Sequence, residues 1–119
     1  MPPLTQERCV ACRRDSPRVT DQEIAVLHPQ VADWRLFEED GIKKLERAFA
    51  FPNFVQALAF TSMVGGMAEA EGHHPRLVTE WGKVTIAWWT HKIRWLHRND
   101  FIMASKTDQL YASFKQGQG

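Results

Sequence analysis

Glu69, His73, His74 and His91 are the one concentration of titratable residues in this chain that does not look like ordinary surface charge. Imidazoles titrate near pH 6.5, so they can give and take protons near neutrality. A cluster of them suits general acid–base catalysis, in which each well-placed group contributes roughly 10²–10⁴ in rate. The same residues could also ligate a metal or lie as structural or surface histidines, and spacing alone leaves these readings open. Adjacent His73 and His74 are awkward ligands for one metal in an extended chain, because successive side chains point apart. The sequence contains no helical H-E-x-x-H, no nucleophile elbow and no phosphate loop. Glu69 precedes His73 by four positions, which puts the two on one face if a helix persists through Gly72. His28 and His97 fall at predicted helix ends, where a capping or surface role is expected. Cys9 and Cys12 make a single Cys-x-x-Cys. A zinc site needs about four ligands and a redox motif needs a strand before it and a helix after it, so surface thiols are the simplest reading, with a metal contact or redox role left open.

The elements that must position these groups are readable from caps, turns and periodicity. Thr20-Asp21-Gln22-Glu23 fits a capping box, followed by Ile24 and Leu27 as the buried side of a short helix that Pro29 closes. Strands are predicted at 34–38 and 42–51 around Asp40-Gly41, a pair suited to the positive φ angles of a type I′ turn. Centred there, Glu38 faces Lys43, Leu36 faces Leu45 and Arg35 faces Glu46. A long helix is predicted over 52–71 with Gly72 as its stop. Ala57, Phe60, Val64 and Met67 form its core stripe, widened by Phe54 and Leu58. Gly65-Gly66 weakens that helix by about 1 kcal/mol per Gly relative to Ala, which predicts a packing reason such as the close approach of another backbone.

A second hairpin is predicted with Gly82-Lys83 at a type II′ turn and arms at 77–81 and 84–91. Alternation puts Leu77, Thr79, Trp81, Val84, Ile86 and Trp88 on the core face, and Trp89 and His91 on the other. Leu77 then faces Trp88; by extension Pro75 and His74 fall roughly opposite Thr90 and His91, and the imidazoles converge. The last helix is predicted from Asn99 as N-cap to Phe114, with Asp100 placed to stabilise its N-terminus. The fold class is α+β: a four-stranded, mostly antiparallel sheet with three helices packed on one face, in the order α-β-β-α-β-β-α. Residues 1–19 read as an irregular arm, 20–114 as a single domain and 115–119 as a frayed tail.

Composition narrows the function classes. The chain has 119 residues, 44% hydrophobic and 24% charged, the size of one domain. Its 15 Lys+Arg against 14 Asp+Glu leave a net charge of +1, which argues against a sequence-independent grip on nucleic acid. No apolar stretch approaches the roughly 20 residues that cross a bilayer, and the N-terminus does not read as a secretory signal. A cytoplasmic protein without membrane or direct nucleic-acid contact is expected.

The pattern Glu69-Ala70-Glu71-Gly72-His73-His74-Pro75, then Trp81-Gly82-Lys83-Val84, Thr90-His91 and Asp100, resembles the defining pattern of the pterin-4a-carbinolamine dehydratases. The resemblance extends back through Trp34 and Glu46-Arg47-Ala48-Phe49, and the Cys9–Arg13 arm is similar to bacterial members associated with phenylalanine hydroxylase. It implies dehydration of 4a-hydroxytetrahydropterin, the product left by an aromatic amino acid hydroxylase, to quinonoid dihydropterin. By resemblance His73, His74 and His91 are the catalytic set and Glu69 helps orient them; Pro75 beside the pair is assigned to the substrate side, as is Trp89, whose place on the outer face with His91 fits a site lining or an interface. No cofactor or metal is implied. The family's members are homodimers or homotetramers, and some double as regulatory or dimerisation partners, which is the alternative function. Many members carry Asp where this chain has Gly72.

Overall fold

A computed structural model describes residues 4–7 and 17–118, the last three by their backbone alone. Cys9 and Cys12 lie outside the described residues. Along the chain run α1 (Asp21–Leu27), β1 (Arg35–Glu39), β2 (Ile42–Ala50), α2 (Phe54–Glu71), β3 (Arg76–Glu80), β4 (Lys83–Trp88) and α3 (Arg98–Gln118), with 3-10 turns at Leu4–Gln6 and His28–Val31. All strand pairs are antiparallel, in the order β1-β2-β4-β3. This is the α+β order expected, with helices over one face of the sheet.

α1 begins on its capping box. The Thr20 hydroxyl accepts from the Glu23 N–H at 3.1 Å, and the Glu23 carboxylate accepts from the Thr20 N–H at 3.0 Å. α1 ends at Leu27, just before Pro29 as expected, and Pro29 sits in the first turn of a following 3-10 segment, where its missing N–H costs nothing. The first hairpin has the expected register, with Asp40 at φ 53° and Gly41 at φ 76°, both left-handed as a type I′ turn demands. Arg35 reaches Glu46 across the pair at 2.9 Å.

The second hairpin departs from expectation by two residues. Trp81 and Gly82 make the turn, so Glu80 faces Lys83 and Leu77 faces Ile86 rather than Trp88. Gly82, at φ 74°, occupies the second turn position, as type II requires, and not the first position of type II′. The reason is tertiary. Phe51 N–H donates to Gly82 O at 2.9 Å, and a Cβ on Gly82 would lie 3.1 Å from Phe51 O, so the end of β2 packs tightly against this left-handed glycine. Trp81 consequently leaves the core face and stands 74% exposed at the hairpin tip. β4 ends at Trp88, short of His91.

α2 is capped by Asn53, whose side chain accepts from the Gln56 N–H at 2.9 Å. Its buried stripe is Ala57, Phe60, Val64 and Ala68. Phe54 and Leu58, expected in that stripe, are exposed instead, alongside Val55 and Met63. Nothing among the described residues comes within 4 Å of a Cβ placed on Gly65 or Gly66, so the predicted close approach is absent from this chain. The core centres on Phe60, whose ring meets Phe51 at 5.1 Å and Phe49 at 5.3 Å in tilted contacts. α3 continues past Phe114 and is tied to the sheet by Asp108, which accepts from Trp34 Nε1 at 2.8 Å and Arg47 Nη1 at 2.6 Å. Burial pushes the Asp108 carboxyl up, and those two donors pull against it.

The glycines give opposed expectations. Gly66→Ala should raise stability by about 0.5–1 kcal/mol through helix propensity. Gly82→Ala should lower it by about 1–2 kcal/mol through left-handed strain and the crowded Phe51 carbonyl. Urea midpoints at constant m-value measure both, and a loss in Gly66→Ala would report a second chain packed on that helix face.

Candidate active site

The site begins where α2 stops. Gly72 takes the left-handed conformation at φ 67°, its N–H bonds to Glu69 O at 3.2 Å, and His73 N–H bonds to Ala68 O at 3.1 Å. These two bonds are a Schellman closure, which turns the chain sharply out of the helix axis. His73 and His74 then leave in opposite directions, as successive residues of an extended chain must. His73 turns inward and is 7% exposed. His74 stays at the surface, where its Nε2 donates to Glu69 Oε2 at 2.9 Å. The closure therefore gives Glu69 to His74, not to His73 as unbroken helical spacing implied.

His73 lies flat on the indole of Trp88, with ring centroids 5.7 Å apart and planes 7° apart. Its Nε2 donates to Asp100 Oδ1 at 2.6 Å. That bond fixes the neutral ring as the Nε2–H tautomer and leaves Nδ1 as the nitrogen able to take a proton. Asp100 is fully buried, and its other oxygen accepts from the Thr90 hydroxyl and the His97 N–H, both at 2.8 Å. The carboxylate thus does two things. It stabilises the start of α3, as expected, and it anchors a histidine, which sequence spacing did not reveal. The N-cap of that helix is His97 rather than Asn99: its Nδ1 accepts from the Asn99 N–H at 3.0 Å. His28 also binds backbone, with Nε2 at 2.7 Å from Trp34 O.

His91 reaches the site by a different route from the one expected. β3 and β4 part after Arg76 and Ala87, and residues 91–94 form a turn closed by a Thr90–Trp95 bridge. The histidines meet because both chains leave the sheet at the same end. A cleft of about 140 Å³ is lined by Gly72, His73, His74, Thr90, His91 and Lys92. Pro75 does not line it. Trp89 touches it through His91, whose ring lies 4.6 Å away at 41°. Thr90, Trp88 and Asp100 are the supporting residues that sequence reasoning did not assign to the site; the position of Asp100 in the first turn of a helix was the available signal. Among the described residues no group of three or more His, Cys, Asp and Glu converges as a metal-ion site.

Burial pushes the His97 imidazole below its usual range, outweighing the pull of Asp100. The unfolded chain therefore binds this proton first, and the associated stability, complete above about pH 6.5, is lost as pH falls through the depressed folded value. His97→Asn keeps a capping acceptor and should flatten that part of the stability profile, measured by urea unfolding between about pH 7.5 and pH 5.

A family model described as Pterin 4 alpha carbinolamine dehydratase matches residues 17–110. A Nitrosococcus oceani protein named for pterin-4-alpha-carbinolamine dehydratase is 56% identical over 110 residues, which are 92% of this chain and 97% of that one. A Gloeobacter violaceus protein named for the same activity is 59% identical over 109 residues, 92% of this chain and 94% of its own. Among solved structures, the transcriptional coactivator/pterin dehydratase from Brucella melitensis superposes with a TM-score of 0.71 at 25% identity, over 80% of this chain and 99% of that one. A pterin dehydratase-like protein identified as a RuBisCO assembly factor in the alpha-carboxysome has the same fold, with a TM-score of 0.56 at 22% identity over 66% of this chain and 89% of its own. A family model spanning the domain, and relatives more than half identical along nearly their whole length, establish that this chain belongs to the pterin-4a-carbinolamine dehydratase family.

Proposed function

We propose that this chain dehydrates 4a-hydroxytetrahydropterin to quinonoid dihydropterin by histidine acid–base catalysis. The observation that supports this best is the cleft shared by His73, His74 and His91, with His73 backed by the buried Asp100. The reaction expels the C4a hydroxyl as water while the N5 lone pair forms the C4a=N5 bond, and the N5 proton then passes to a base. It needs one acid and one base at opposite ends of a short reach, and imidazoles serve as either near neutral pH.

In this reading His74 and His91 face the C4a hydroxyl and protonate it as it leaves. His73 faces N5 and receives its proton at Nδ1, because Asp100 already engages Nε2 and stabilises the imidazolium that results. Glu69 holds His74 by the same logic at the surface. Trp89, against His91, and Pro75, between His74 and β3, act on the substrate side through the histidines they adjoin. The chain works without a cofactor or metal of its own and recycles the pterin of a cytoplasmic aromatic amino acid hydroxylase such as phenylalanine hydroxylase. No described helix is long and apolar enough to cross a membrane.

A homodimer or homotetramer is the assembly proposed, and the exposed apolar strip of α2 supports it: Val55 is 75% and Leu58 50% exposed, with Phe54 and Met63 beside them. Sedimentation velocity should give a multiple of 13.7 kDa for the native chain and a smaller species for Val55→Lys/Leu58→Lys.

The catalytic test generates 4a-hydroxytetrahydropterin in place with a phenylalanine hydroxylase, in the presence of chelator, and follows quinonoid dihydropterin. Acceleration by the native chain should fall at least tenfold, and up to about 10²–10⁴, in His73→Ala and in His91→Ala with folding intact. No acceleration over the spontaneous reaction would refute the enzyme and leave a regulatory partner role.

A further inference from the structure

The turn that carries His91 is held from outside by the segment that leads into α1. Thr90 N–H bonds to Trp95 O at 2.9 Å, Trp95 N–H to Thr90 O at 3.4 Å, and Arg94 N–H to His91 O at 3.3 Å. The last two are long for backbone bonds, and Arg94 sits at φ 51°, the left-handed region where a residue with a Cβ is strained. A turn built this way relies on its surroundings to keep its shape.

Arg18 supplies that support from 75 positions away in sequence. Its Nε and Nη2 both donate to the Ile93 carbonyl, at 3.1 Å and 2.9 Å, so the planar guanidinium grips one oxygen of the turn from two directions. The same guanidinium lies 5.3 Å from the centroid of the Trp95 ring, at the residue that closes the turn. The neighbouring Val19 N–H donates to Leu96 O at 2.9 Å, continuing the strap along the chain. Lys43, from β2, lies 5.6 Å from the centroid of the same indole. Arg18 does not line the cleft, so it can act only through the backbone it holds.

We propose that Arg18 is a positioning residue for the dehydration: its fork on the Ile93 carbonyl fixes the turn that presents His91 to the cleft. This rests on the reading of His91 as part of the reacting set. Misplacement of a catalytic group by about 1 Å is enough to cost up to a hundredfold in rate, so a contact one residue beyond the cleft lining has a measurable lever.

The test compares the native chain, Arg18→Met, Arg18→Lys, His91→Ala and the double variant Arg18→Met/His91→Ala, for steady-state dehydration and for amide hydrogen exchange. Arg18→Met should lower kcat about tenfold with KM within twofold, and Thr90 and Trp95 amides should exchange at least tenfold faster. Arg18→Lys keeps a cation and one donor and should recover a large part of the lost rate. In the His91→Ala background, Arg18→Met should cost no more than a further twofold, because the group it positions is gone. An equal loss in both backgrounds, or a native rate and native protection in Arg18→Met, overturns the proposal. Should Arg18→Met fail to fold, the same comparison runs with Arg18→Gln, which is too short to fork the Ile93 carbonyl. A native chain with no dehydratase rate refutes the enzyme itself, whereas the exchange measurement reports on the strap without turnover, so the two failures are distinguishable.

Discussion

The carboxylate of Asp100 is the point through which the rest of the site is assembled. A fully buried carboxylate persists only where donors replace the water it has lost. Here they come from three places: the His97 amide at the start of α3, the Thr90 hydroxyl just past β4, and the His73 ring just past α2. Two helix ends and a strand end therefore converge on one side chain. The start of α3 and the orientation of His73 are linked through one side chain, since one oxygen of the carboxylate holds His73 and the other holds the His97 amide. Lys106 adds a second tie between the helices, its Nζ 3.0 Å from Glu71 Oε1 at the end of α2.

The pleat of β4 divides the two sides of the cleft. Trp88 falls on the helix-covered face, where it forms a flat bed for His73 and is fully buried, its indole N–H without a partner among the described residues. Trp89 falls on the open face, with Lys44 Nζ 4.0 Å and the Arg76 guanidinium 5.4 Å from its ring centroid. Glu39 joins those two cations at 2.6 Å and 2.9 Å, and their hydrogen bonds draw its carboxyl down to about 2. One histidine thus rests on an apolar plane and another stands beside a network of charge, although the residues beneath them are adjacent in sequence. The difference follows from the two-residue period of a strand.

Local rules carried the first hairpin completely, because Asp40-Gly41 admits one turn type and that turn sets every pair beyond it. The second hairpin holds a single glycine, which serves equally as the first position of one turn or the second of another. In the observed register Gly82 packs against Phe51, a contact distant in sequence that was not legible locally. The same division runs through the site. The histidines could be picked out by type and spacing, and His97 and Asp100 could be placed at a helix start. That Asp100 would also hold His73, and that Glu69 would pair with His74, depended on how a helix ends and where the chain is thrown afterwards. On α2, periodicity found Ala57, Phe60 and Val64, whereas it placed Phe54 and Leu58 inside because an apolar residue on a helix does not announce whether the rest of the chain covers it.

Position 72 shows what the Schellman closure permits by way of variation. Its backbone is left-handed, and a Cβ there would meet nothing within 4 Å, so space is open while conformation is restricted. Glycine satisfies that restriction, as do asparagine and aspartate with little strain; branched and bulky residues do not. Because Gly72 lines the cleft, the fold acts as a filter on its composition. The residues that can be exchanged there without cost to the helix end are either bare backbone or short side chains that hydrogen-bond. Sequence drift at this position is silent for the architecture and audible in the chemistry, so related chains can diverge in how they grip a ligand while their folds remain superimposable.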